Sequence, residues 1–232
     1  MSTIVEINNP EISLKAVKFA NDGLESSLPD PLRMNSFYLF VAPPGKGKTT
    51  LILNLINRRN KYYWGLFDRV YVFSPSIKTA KTEIHLPKER IFETLDMANL
   101  QKIINKNNHD GNRVLFVFDD VISGIKKNIT QFIQLAYNRR HLGAGFSIWI
   151  SLQVFNKCPL ELRKAISGLA LWKTSNKKEL NSIFEEFSLL PRDQFDDVLR
   201  YAWQQPHDFL FMDTLTDTYY RNFNELSINK DE

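Results

Sequence analysis

The chain has 232 residues, of which 43% are apolar, 12% aromatic and 24% charged; this fits one large globular domain, or one with a small appendage, and excludes a disordered polypeptide. Its 30 Lys and Arg against 26 Asp and Glu give a net charge of +4, which permits an anionic partner met through local patches without demanding one. A single cysteine, Cys158, excludes an internal disulfide framework and reads as a small, partly buried thiol in a reducing compartment.

In chain order, TIVEIN (3–8) and LKAVKFA (14–20) predict two short strands forming an N-terminal flap, and residues 23–35, with Gly, Ser and two Pro, predict a connection. A buried strand follows at 36–42 (SFYLFVA), then a helix over 49–63 with apolar residues at 51, 52, 55 and 56. The segment 69–75 (RVYVFSP) is a second strand, followed by a polar stretch to Arg90 and a helix near 96–107. A third strand spans 113–120 (RVLFVFDD), and a helix over 128–143 ends at Gly143. Further strands lie at 146–153 (FSIWISLQ) and 168–173 (GLALWK), then helices over 176–187 and 191–204 and a closing hairpin of DFLFMD and TYYRNF. Wholly apolar strands alternating with helices predict a three-layer α/β fold with a mainly parallel sheet covered on both faces. The expected organisation is residues 1–35 as strands and connection, 36–213 as the main domain, and 214–232 as a last strand and tail.

The turn after the first core strand reads Ala42-Pro43-Pro44-Gly45-Lys46-Gly47-Lys48-Thr49-Thr50, against the phosphate-loop pattern Gly-x-x-x-x-Gly-Lys-Ser/Thr. Gly47, Lys48 and Thr49 match; Ala42 replaces the first glycine, which matters little if its φ is negative. Gly45 and Gly47 let successive N–H groups turn inward around phosphate oxygens, with the positive end of the helix behind them. Lys48 is then placed for the β- and γ-phosphates and the Thr49 hydroxyl for Mg²⁺; Pro44, Lys46 and Thr50 complete the cofactor-binding loop.

The strand VLFVFDD ends in Asp119 and Asp120. A strand-end carboxylate completes a Mg²⁺ shell in the manner of a Walker B aspartate, the role expected of Asp119. Asp120 stands where many ATPases carry a glutamate that polarises the attacking water, and it is one methylene shorter. Gln153 ends the next strand, where an amide can sense the γ-phosphate or simply finish the strand. Arg139 and Arg140, in NRRH at the end of a helix, serve either the helix dipole or a neighbouring subunit's site as arginine fingers. They are expected to lie near the loop bearing Gln153. The loop VISGIKKN carries Lys126 and Lys127, either a DNA-contacting pair in a pore or two solvated lysines.

Together the phosphate loop, FDRVYVFSPS, the acidic strand end and NRRHLGAGFSIWISLQ resemble the genome-packaging ATPases of large nucleocytoplasmic DNA viruses and virophages, a branch of the FtsK–HerA superfamily of P-loop NTPases. The resemblance runs from about Phe37 to Trp172. It implies a RecA-like fold with an added strand between the phosphate-loop and acidic strands. It assigns Asp119 and Asp120 the metal and water roles and Gln153 the sensor role. It further implies ATP hydrolysis and a homo-oligomeric ring, a pentamer or hexamer, that drives double-stranded DNA into a capsid without reading its sequence. Capsid vertex proteins are the implied docking partners, and host cytoplasm, viral assembly site or virion the implied location.

Other readings differ at identifiable residues. A GTPase needs Asn-Lys-x-Asp, whereas Asn156-Lys157-Cys158 runs into Pro159, and an ABC-type Ser-Gly-Gly signature is lacking. A small-molecule kinase would carry an arginine-rich lid; residues 75–90 are basic but mostly lysine. An ATP-binding capsid-assembly protein without motor activity fits if Asp120 is too short to activate water. No run approaches the roughly 18 apolar residues of a membrane span, and the N-terminus has no signal-peptide pattern, so a soluble intracellular protein is expected.

Overall fold

The computed structural model describes residues 31–57, 63, 65–77 and 84–228; the strands expected within 3–8 and 14–20 lie outside them. The first half comprises β1 (Phe37–Val41), α1 (Lys48–Ile56), β2 (Arg69–Phe73), β3 (Ile91–Phe92), α2 (Met97–His109), β4 (Val114–Asp119), α3 (Ile122–Lys127) and α4 (Ile129–Asn138). The second comprises β5 (Phe146–Leu152), α5 (Leu160–Arg163), β6 (Gly168–Trp172), α6 (Lys177–Phe187), α7 (Arg192–Ala202), β7 (Phe209–Asp213), β8 (Thr218–Arg221) and β9 (Asn224–Glu225). Among the described residues these strands form one sheet in the order β3-β2-β4-β5-β1-β6-β7-β8-β9. β3 through β6 run parallel and β7 through β9 antiparallel. The chain thus has the predicted mainly parallel α/β sheet, and β5 is the added strand between phosphate-loop strand β1 and acidic strand β4.

Every residue of β1, β4, β5, β6 and β7 is buried, because helices cover both faces of the sheet. The period of two along each strand sorts the core. Phe37, Leu39, Phe116, Phe118, Ile148 and Ile150 face the layer holding α2, α4, α6 and α7. Tyr38, Phe40, Leu115, Val117 and Trp149 face the layer built on α1, Tyr63 and residues 65–77. Side chains at even positions of β1 and odd positions of β4 and β5 therefore point toward α1, a phase that later fixes the site.

Local chemistry moves several boundaries from the sequence expectation. α1 stops at Ile56 because Asn57 is extended, at φ −78° and ψ 148°. The loop expected at 121–128 is instead helix α3: Ile125 drops into the core, and Asn128 Nδ2 donates to the Gly124 carbonyl at 2.9 Å. The helix expected to run through to Gly143 ends at Asn138 and passes into a 3-10 turn over Arg139–His141. Gly143 is needed in the turn beyond, at φ 56°, where a Cβ would meet the Asn112 carbonyl at 2.4 Å. β3, two residues just past the polar stretch that ends at Arg90, pairs with Val72 and Phe73 at the sheet edge. No described helix is long and apolar enough to cross a membrane.

Gly168 sets the aromatic packing across β6. Tyr38 and Phe211, on the strands either side, meet edge-to-face with ring centroids 5.5 Å apart. A Cβ at 168 would lie 2.6 Å from Phe211 Cζ and 2.9 Å from Tyr38 Cδ1. Gly168→Ala should therefore force both rings off their contact and cost about 1–3 kcal/mol. Thermal unfolding checks this: a variant with the parent melting temperature would contradict the packing.

Candidate functional site

The phosphate loop reverses the chain between β1 and α1. Ala42 is fully buried, its N–H donates to the Leu152 carbonyl at 3.1 Å, and its φ is not positive, so alanine fits where the pattern has glycine. Gly45 and Gly47 do need glycine's freedom, at φ 75° and 100°. Gly47 is the N-cap of α1, and no side chain caps that end, so the first-turn N–H groups remain available to a ligand. Lys48 is buried to 6% exposure, and its Nζ donates to the Ala42 carbonyl at 2.7 Å. Burial lowers its pKa, and the charges of Asp120 and Asp119 partly oppose that shift.

Asp119 ends β4 in phase with Leu115 and Val117, so its carboxylate points to the α1 face, where Thr49 Oγ1 lies 3.2 Å from Oδ2 and 3.4 Å from Oδ1. Only 2% of Asp119 is exposed, and its oxygens are satisfied by hydroxyls. Ser74, just past β2, donates to Oδ2 at 2.9 Å, and Ser151, its register partner on β5, donates to Oδ1. Two flanking strands thus clamp the carboxylate while Thr49 approaches from the helix. A hydroxyl and a carboxylate this close are the hard oxygen donors that suit Mg²⁺, which takes a few protein ligands and completes its shell with phosphate oxygens and water. The donor set fits Mg²⁺. Among the described residues no cluster of three or more His, Cys, Asp or Glu offers an all-protein cage.

Asp120 points away from that clamp. It is exposed, at φ 54°, on the rim of a cavity of about 730 Å³ that it shares with the phosphate loop and Gln153. Gln153 follows Leu152, the register partner of Val41, so it emerges beside the start of the phosphate loop. Glu179 on α6 fixes the segment after it by accepting from the Phe155 N–H and from Thr174 Oγ1. The structure thus brings together the phosphate loop, Asp119, Asp120 and Gln153.

Arg139 and Arg140 do not join them. They precede β5, whereas Gln153 follows it, and a seven-residue strand at about 3.3 Å per residue separates the two ends by roughly 20 Å. The expectation that the pair lies near the Gln153 loop is corrected by strand direction: a connection entering a parallel strand sits on the edge opposite its exit. Arg139 Nε donates to the Asn35 carbonyl at 2.9 Å, and its Nη1 to the Ala136 carbonyl at 2.6 Å. Burial, together with the charge of Arg140, lowers the Arg139 pKa to about 10. Both arginines line a separate cavity of about 490 Å³ with Arg33 and Lys164. Lys126 and Lys127 are exposed on α3, and Lys126 lines a smaller cavity that also touches Asp120 and Gln153. Cys158 is buried, and burial pushes its thiol up to about 12, as a structural cysteine requires.

No protein-family model matches the sequence, and no curated protein matches it. Solved structures do. The genome packaging NTPase B204 from Sulfolobus turreted icosahedral virus 2, in complex with ATP-gammaS, matches with TM-score 0.57 and 13% identity over 84% of this chain and 100% of that one. B204, the DNA-packaging ATPase from Sulfolobus turreted icosahedral virus, gives 0.56 and 11% over 85% of this chain and 100% of its own. EssC (ATPases 2 and 3) from Geobacillus thermodenitrificans gives 0.51 and 14% over 85% of this chain but 41% of its own. At these identities the likeness establishes the fold: this is a three-layer P-loop NTPase fold.

Sequence reasoning missed Ser74, Ser151 and the C-terminal wall of the large cavity, Trp172, His207 and Phe209. The serines were available to a count of two along each strand, since 74 and 151 are in phase with Val72 and Trp149 on the α1 face. Ser74→Ala and Ser151→Ala should each leave a buried carboxylate short of one donor, at a cost of about 1–3 kcal/mol. Calorimetric unfolding measures this, and two variants as stable as the parent would show that Asp119 does not need the clamp.

Proposed function

We propose that the protein is an ATP-hydrolysing motor that moves double-stranded DNA into a preformed capsid. The observation that carries the reading is the convergence, at the carboxyl ends of the parallel strands, of the phosphate loop, the clamped Asp119, the exposed Asp120 and Gln153. The sequence resemblance to viral packaging ATPases supports it, as does the fold shared with a protein described as a genome packaging NTPase.

In this reading the loop N–H groups and Lys48 hold the triphosphate, Lys48 exchanging the Ala42 carbonyl for phosphate oxygens. Thr49 and Asp119 hold Mg²⁺, which when bound neutralises charge on the β- and γ-phosphate oxygens. Asp120 takes the proton of the attacking water, and Gln153 donates an amide N–H to the γ-phosphate. Arg139 and Arg140 act in trans. In a head-to-tail ring the edge that carries them meets the neighbour's carboxyl edge, and such rings close as cyclic oligomers. Their 20 Å-scale separation from their own phosphate loop, about one strand length, favours a trans role over a cis one. DNA is held through its phosphates, with Lys126 and Lys127 at the end of α3, a helix that begins two residues beyond Asp120, as the moving contact.

Lys48→Ala should lower ATP turnover by orders of magnitude; Asp120→Asn should bind Mg·ATP and fail to hydrolyse it. Normal turnover by Lys48→Ala overturns the site. Turnover with and without double-stranded DNA separates a motor, which DNA stimulates, from a kinase or assembly protein, which it does not.

The trans arginine has its own test. Arg139 ties two backbone carbonyls of its own chain, so the variant tested is Arg140→Ala, with its melting temperature measured beside its turnover. A finger of this kind is worth about 10³-fold or more in rate. Arg140→Ala and Lys48→Ala should each be nearly inactive, and their mixture should regain turnover at interfaces that pair an intact loop with an intact arginine. Full activity of Arg140→Ala alone would exclude it as the finger.

A further inference from the structure

The wall of the large cavity built by the C-terminal third of the chain carries a residue that no motif supplied. His207 lies two residues before β7, at φ 70°, a left-handed conformation unusual for a residue with a Cβ. The surroundings hold it there. Trp172 Nε1 donates to the His207 carbonyl at 3.0 Å. The next residue, Asp208, accepts from the Gln205 N–H at 2.9 Å, Arg221 Nη2 at 2.8 Å and Asn222 Nδ2 at 3.0 Å. Strained backbone that is over-determined in this way concentrates at ligand sites.

The ring itself reaches the phosphate loop: His207 Nδ1 lies 3.3 Å from the Lys46 carbonyl oxygen. A carbonyl can only accept, so Nδ1 carries the proton, and in the neutral imidazole Nε2 is then a hydrogen-bond acceptor. Trp172 and Phe209 below it are 2% and 6% exposed and packed on each other at 4.8 Å, so they form a fixed floor and present no free ring face. His207 is the exposed ring of that wall. The same cavity is lined by Gly45 to Thr50 and, besides the phosphate loop, by Leu51, Asn54 and His207, which in the nucleotide-site reading remain for the nucleoside.

We propose that His207 reads the nucleobase, selecting adenine through its exocyclic amino group over guanine, which presents a carbonyl oxygen at that position. The proposal rests on the cavity being a nucleotide site. An acceptor at Nε2 takes a proton from the adenine amino group and repels the guanine oxygen. Loss of one such hydrogen bond is worth about tenfold in affinity, or about 1.4 kcal/mol.

The test is calorimetric titration of the full chain with Mg²⁺ and ATP, GTP or inorganic tripolyphosphate, for the parent and His207→Asn. Asparagine tolerates the left-handed backbone and keeps an amide N–H for the Lys46 carbonyl, while its own acceptor, Oδ1, sits closer to the backbone than Nε2 and is withdrawn from the base. The parent should favour ATP over GTP by about tenfold, and His207→Asn should bring ATP down to near its GTP affinity. Tripolyphosphate affinity and melting temperature should not change. Equal ATP and GTP affinity in the parent, or a full ATP preference in the variant, overturns base reading alone. Loss of tripolyphosphate binding in the variant also overturns it, because His207 would then act through the phosphate loop. A parent that binds neither ATP nor tripolyphosphate overturns the nucleotide-site reading and this proposal with it.

Discussion

A carboxylate with 2% of its surface exposed is a costly group to place in a protein interior, and Asp119 is one. It is stable where it lies because hydroxyls from Ser74, Ser151 and Thr49 reach it, one from each flanking strand and one from α1. That requires β2, β4 and β5 to be parallel and in one register, with their carboxyl ends level. It also requires α1 to begin directly above them, which the short turn through Gly45 and Gly47 provides. The rest of the site follows from the same alignment: with Asp119 fixed inward at the strand end, the left-handed turn at Asp120 sets that residue on the cavity rim, and the pairing of Leu152 with Val41 brings Gln153 to the loop.

Strand direction also decides what cannot join the site in the same subunit. Arg139 and Arg140 enter β5, so they share an edge with the starts of β1 and β6 rather than with the phosphate loop. A cation pair therefore lies on one edge of the sheet and the phosphate loop on the other. Burial lowers the Arg139 pKa and Arg140 adds to that, so an anion brought to this edge would meet a cluster whose own charges repel one another.

The antiparallel return of β7 has the opposite effect. Trp172 ends β6, and its register partner Phe209 begins β7, so the last third of the chain delivers a wall to the carboxyl edge. Had β7 continued parallel, its start would lie with the arginines. Residues beyond 175 carry no recognisable motif, yet they shape the cavity through this one reversal.

The sequence by itself determined the features that reside in contiguous residues. Apolar runs at 36–42, 113–118 and 146–152 demand strands buried on both faces, and the glycines at 45 and 47 demand a left-handed turn before Lys48. The pair Asp119-Asp120 must fall at a strand end because carboxylates cannot continue an apolar run. Tertiary structure alone decided which strands became neighbours and in what register, since pairing joins residues far apart in the chain and local propensity is silent about it. It chose Ser74 and Ser151 as partners for Asp119, carried Arg139 and Arg140 to the far edge, made a helix of 122–127 by burying Ile125, and set His207 against the phosphate loop. Each of these is a long-range contact whose energy exists only once the sheet has closed.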